Sequence, residues 1–151
     1  MERLNYIARA DGRFAVTGAP EGYDAYVVAE AAQRGKGLVV FVLADDARAE
    51  EAKQIIGFVA AGLPVLSFPA WDCLPYDRVS PKPDIESARL ATLAALARRK
   101  SKDEPCVVVT TINAFLQRVP PRDAIAEASF HARAGGDVDH DALIVFLARN
   151  G

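Results

Sequence analysis

The chain has few cysteines and histidines, no excess of positive charge and no long apolar run. Its two cysteines, Cys73 and Cys106, form no C-x-x-C pair in 151 residues. That excludes a disulfide scaffold and the thiolate clusters of structural zinc sites, and two buried reduced thiols are expected. His131 and His140 are the only histidines, with no cysteine or second histidine at ligand spacing, so no metal centre is expected. Lys and Arg number 18 against 20 Asp and Glu, for a net charge of -2 and a pI near 5.7. Such a chain has no global field to hold nucleic acid, and any contact of that kind must be local. No run approaches membrane-spanning length, and "MERLNYIARADG" has no apolar signal core. A cytoplasmic location without membrane attachment is therefore expected. No Ser/His/Asp set can be argued, and Cys73 has no histidine near it in sequence to activate a nucleophile.

What remains is the composition of an ordinary globular domain: 51% of residues are hydrophobic and 25% charged, over a length that can bury a real core. "RFAVTG" reads as a short strand from Arg13. A helix follows, with Asp24 as its cap, Val28, Ala31 and Ala32 on its apolar side, and Gly35 and Gly37 at its end. "LVVFVLA", Leu38 to Ala44, is a continuous apolar run of the kind that suits a strand covered on both faces. Asp45 or Asp46 caps a second helix, striped by Ala52, Ile55, Ile56, Val59 and Ala60. "PVLSF" is a third strand.

Then comes "PAWDCLPYDRVSPKPD", Pro69 to Asp84, which holds four of the nine prolines and is neither regular helix nor central strand. A loop this long is functional or packed by its own side chains, here Trp71, Leu74 and Tyr76. Asp84 caps a helix with Leu90, Leu93, Ala94 and Ala97 on one face and a basic end at Arg98, Arg99, Lys100 and Lys102. The plain reading of that basic run is a solvated helix end. "PCVVVTT" is a buried strand and "INAFLQRV" a short helix. After "VPPRD", "AIAEASFHARAGG" alternates like a strand with one wet face, and Asp139 caps a last helix carrying Leu143, Phe146 and Leu147. Strands alternating with helices predict an α/β fold with a mainly parallel sheet flanked by helices. The change of pattern predicts two units, 1–122 as the α/β subdomain and 123–151 as the start of a second, α+β unit.

The turn between first strand and first helix has the outline of a phosphate-binding loop, G-x-x-x-x-G-K-[ST]. Setting Gly22 on its second glycine puts Thr17 on the first, Tyr23 on the lysine and Asp24 on the hydroxyl residue. Gly18 stands one place late, Pro20 removes an amide donor, and Glu21 adds a carboxylate. Two unit charges about 4 Å apart interact by roughly 4 kcal/mol at a surface-like dielectric. Glu21 and Asp24 thus oppose a polyphosphate, and the loop reads as a vestige with no cofactor.

One stretch is more specific. Trp71, Asp72, Leu74, Pro75, Tyr76 and Asp77, then Ser80-Pro81, then Asp84, Ile85, Arg89, Leu90 and Leu93 follow the order W-[DE]-x-L-P-Y-[DE], S-P, D-I-x-x-x-R-L-x-x-L. Thr110, Asn113, Leu116, Gln117 and Arg118 continue it. This pattern resembles the N-terminal region of the bacterial transcription-repair coupling factors (Mfd), collinearly from about Phe14 to Gly151. The resemblance implies a UvrB-like module with a degenerate P-loop, a non-catalytic interaction and packing piece without cofactor. It implies contact with other domains of the same parent, with Trp71, Leu74, Tyr76, Asp77 and Arg89 as candidates for that contact. It implies UvrA recruitment through the following subdomain, mostly absent here, and RNA polymerase and DNA contacts through domains also absent. In the parent, ATP-driven DNA translocation belongs to a distant C-terminal motor. The chain is accordingly expected to be an N-terminal piece of a longer protein. Two other readings remain open: a P-loop-type ATPase domain with an atypical loop, and a UvrB-like DNA-binding module.

Overall fold

The computed structural model describes residues 6–7, 11–35, 37–73, 78–101 and 104–150. In chain order the elements are α1 (Tyr23–Gly35), β1 (Leu38–Leu43), α2 (Asp46–Val59), β2 (Val65–Phe68) and α3 (Pro83–Arg98). β3 (Cys106–Thr111), α4 (Ile112–Phe115), α5 (Arg122–Glu127) and α6 (His140–Asn150) follow. The sheet is three-stranded in the order β1-β3-β2, and both pairings are parallel. The chain is therefore α/β, as its alternating pattern predicts.

β3 lies in the centre, and all six of its residues are buried. The β1-to-β2 crossover passes over β3, and the β2-to-β3 crossover returns. Two crossovers of one hand running in opposite directions place their helices on opposite faces. Accordingly α1 and α2 pack on one face and α3 on the other. Val107 and Val109 of β3 enter the first core with Ala25, Ala29 and Ala32 of α1 and Ala52 and Ile56 of α2. The three alanines, at helical spacing on one side of α1, let that helix come close to its neighbours. Burying a side chain such as Ile56 or Val109 contributes about 1.5–3 kcal/mol. Val108 enters the second core with Phe68, Ala114, Leu66, Leu93 and Leu96.

Several local expectations change. Residues 13–17 form no strand, and Phe14 and Val16 are exposed. A short extended stretch without a pairing edge gains no ladder hydrogen bonds to offset its entropy. β1 is covered on one face only: Val39 and Phe41 pack inward, while Leu38, Val40 and Val42 are exposed. α3 starts on Lys82 with Pro83 in the first turn, so Asp84 is a first-turn acid rather than the cap. Its fully buried residues are Arg89 and Thr92, while Leu90 is half exposed. Residues 124–136 form no strand; α5 occupies their start and packs against α3. Asp45, not Asp46, caps α2, accepting from the Arg48 amide at 2.9 Å. Asp139 caps α6 as read, accepting from the Ala142 amide at 2.9 Å.

Candidate functional site

Thr17 is exposed on the approach to α1, and Gly18 and Gly22 adopt positive φ of 71° and 79°. A Cβ on Gly22 would meet Ile55 Cδ1 at 2.9 Å, so the loop lies directly on α2. Two amides at the start of α1 are already engaged, and Asp24 lies inside the first turn rather than capping it. The Tyr23 N–H donates to Pro20 O at 3.1 Å, and the Ala25 N–H donates to Asp24 Oδ1 at 2.8 Å. These are the groups that a phosphate at a helix N-terminus would use. Tyr23 is 38% exposed, and its ring packs against Tyr26 with centroids 5.6 Å apart.

A cation does lie beside the loop, and it comes from α2. Arg48 reaches back to Asp24 Oδ2 at 3.1 Å and Glu21 Oε1 at 3.4 Å, and holds Glu51 Oε2 at 2.6 Å. Glu51 first, then Asp24 and Glu21, raise its pKa above the ordinary guanidinium value, against the opposing effect of burial. One guanidinium thus faces three carboxylates, and the local charge is negative. In sequence only the Arg48–Glu51 spacing gives a hint of this cluster, since Asp24 and Glu21 lie more than twenty residues away.

The second constellation joins residues of the aromatic-proline motif. Arg89 is 2% exposed and lies between two rings, its Cζ 4.1 Å from the Phe68 centroid and 4.4 Å from that of Trp71. Its Nη1 donates to Pro69 O at 2.6 Å and to Gln117 Oε1 at 3.0 Å. Gln117 Oε1 also accepts from the Trp71 N–H at 3.1 Å. The buried Nε has no hydrogen-bond partner. Burial pushes the guanidinium pKa down. Carbonyl oxygens and ring faces take the place of a carboxylate around this charge. Trp71, Arg89 and Gln117 therefore form one tie between the loop after β2, α3 and the segment after α4. Arg89 holds the loop from inside rather than standing on the surface. Trp71 is half-buried. Leu74, Tyr76 and Asp77 lie outside the described residues.

At the carboxyl ends of β2 and β3 a cleft of about 420 Å³ opens beside Trp71, where ligands of open α/β sheets sit. Asp46, Glu50 and Asp72 line it with Thr110 and Asn113. Lys53 pairs with Glu50 at 2.7 Å, and Lys82 approaches Asp72 at 3.8 Å. Among the described residues no group of three or more His, Cys, Asp or Glu is placed to hold a metal. Cys73 is half-buried and Cys106 buried, both as free thiols. No described helix is long and apolar enough to cross a membrane.

The fold and the loop define an α/β domain with a parallel sheet and a glycine turn at its first helix. No family profile matches the chain. Among curated proteins it is 32% identical over 119 residues, 79% of its length, to the transcription-repair-coupling factor of Escherichia coli (strain K12). It is 34% identical over 67% of its length to that of Rickettsia bellii, and 30% identical over 66% to that of Haemophilus influenzae. The chain is thus a relative of the transcription-repair-coupling factors. It spans about a tenth of the length of these relatives.

Proposed function

We propose that this chain is an N-terminal, UvrB-like part of a transcription-repair coupling factor and acts there as a non-catalytic interaction and packing module. One observation carries the reading: Tyr23 stands at the P-loop lysine position, and the cation beside the loop, Arg48, is held by Glu21, Asp24 and Glu51. A triphosphate entering this turn would meet three carboxylates and would have to draw Arg48 away from them. It would also have to break the Tyr23–Pro20 and Ala25–Asp24 bonds that use the loop's amides. Each close like-charge pair opposes binding by roughly 4 kcal/mol at a surface dielectric.

The parent protein would displace RNA polymerase stalled at a lesion and recruit UvrA for excision repair, with ATP hydrolysis and DNA translocation in a motor outside this chain. This part would then work through its surfaces, docked on other domains of the same protein. Titration calorimetry with ATP and magnesium, beside a phosphate-release assay, is expected to give no saturable heat and no turnover. Saturable ATP binding lost in Tyr23→Ala would replace the reading with a nucleotide-binding one.

A further inference from the structure

At the amino ends of the strands lies a second cleft, of about 530 Å³, lined by Leu38, Leu96, Arg99, Lys100, Ser101 and Arg122. Three of these are cations and none is a carboxylate. Among the described residues the two guanidiniums are held by backbone oxygens and not by acids. Arg99 Nη2 donates to Glu104 O at 2.6 Å. Arg122 donates from Nε and Nη2 to Ala97 O at 3.2 and 2.9 Å, and from Nη2 to Arg99 O at 2.9 Å. Carbonyls orient these charges without neutralising them. The end of α3 adds about half a negative charge, which three full cations exceed.

The floor of this cleft continues into an apolar strip. Leu38 begins β1, and Leu38, Val40 and Val42 alternate onto the sheet face that α3 covers elsewhere. They are 43%, 45% and 38% exposed. Among the described residues β1 is an edge strand, bonded to β3 on one side. The strip is roughly 13 Å long at the rise of an extended chain.

We propose that this surface is a docking site for an extended protein segment that carries carboxylates beside apolar side chains. The carboxylates enter the cleft at Arg99, Lys100 and Arg122, and the apolar side chains lie along Leu38, Val40 and Val42. Nucleic acid fits it less well. A phosphodiester chain gains nothing from the leucine floor or the valine strip, and a chain of net charge -2 repels a polyanion at long range. A short peptide with a few carboxylates uses both parts. The inference rests on the chain being an interaction module. ATP titration tests that reading by itself, so the two can fail separately.

The test is fluorescence anisotropy of a labelled peptide, Glu-Asp-Glu-Leu-Ser-Phe-Thr-Leu-Ser-Gly, titrated with the chain at low and at physiological salt. Saturable, salt-sensitive binding is expected. Lys100→Glu should weaken it about tenfold and Val40→Thr about threefold, since a contacting charge and a buried methyl each shift affinity on that scale. Both side chains are exposed, so circular dichroism should report an unchanged fold. Absence of peptide binding, or equal binding by both variants, overturns the proposal. So does tighter binding of a labelled DNA duplex that falls with Lys100→Glu and not with Val40→Thr, which would make the surface a nucleic-acid site.

Discussion

Arg89 shows how a buried charge can be kept without an acid. Its guanidinium fills the space between Phe68 and Trp71 and supplies the donors for Pro69 O and Gln117 Oε1. Arg89→Ala removes both the volume and the donors and is expected to cost about 3–5 kcal/mol. Arg89→Met keeps most of the volume and should cost about 2 kcal/mol less than the alanine variant. Arg89→Lys should fall between them, because an ammonium cannot supply the planar stack. Urea denaturation ranks the three, and a lysine variant as stable as the parent would refute the planar account. Cys106 gives a second prediction. Burial pushes its thiol above the ordinary 9.0, with Arg99 acting weakly the other way. The unfolded thiol therefore ionises first as pH rises. Its stabilising contribution is whole below pH 9.0 and is lost as pH climbs through the folded-state value. Relative to Cys106→Ala, the parent should lose stability over that alkaline range. A constant difference between the two midpoints would remove the claim.

Among the elements, the apolar runs that became β1, β2 and β3 were legible as strands, but only β3 is buried along its whole length, and the bare outer face of β1 could not be read from an unbroken apolar run. The stripe of α2 was legible through Ala52 and Ile56. Residues 13–17 have similar composition and form no strand, since strand formation depends on a neighbouring edge that local sequence does not encode. Arg89 was visible as a motif residue, but not as the buried centre of a loop tie, because Pro69 and Gln117 reach it only through the tertiary fold. Arg48 was missed for the same reason. Gly22 was read as a turn residue, and the close approach of Ile55 adds a packing demand to its positive φ. Gly22→Ala is expected to destabilise by about 1–2 kcal/mol. Adding Ile55→Val should recover the steric part and leave the backbone part, which thermal melts of the double variant would resolve. Full recovery would mean that backbone strain at Gly22 is negligible.

At the scale of the whole molecule, charge is distributed unevenly. Glu21, Asp24 and Glu51 gather beside the start of α1, and Arg99, Lys100 and Arg122 at the amino ends of the strands. A net charge of -2 conceals both groups, and for that reason composition alone predicted no cationic surface. Apolar side chains also face outward, Phe58 most of all at 89% exposed. Phe58→Ser should change the unfolding midpoint by less than about 0.5 kcal/mol equivalent. It should lower any concentration-dependent association seen by sedimentation; a large loss of stability would mean that Phe58 is packed. The tie at Trp71 has one more consequence. The chain contains a single indole, and it stands against a guanidinium in the loop that follows β2. Its emission is therefore a private signal from that loop: if colour and intensity change at a lower urea concentration than helical ellipticity, the loop lets go before the sheet does.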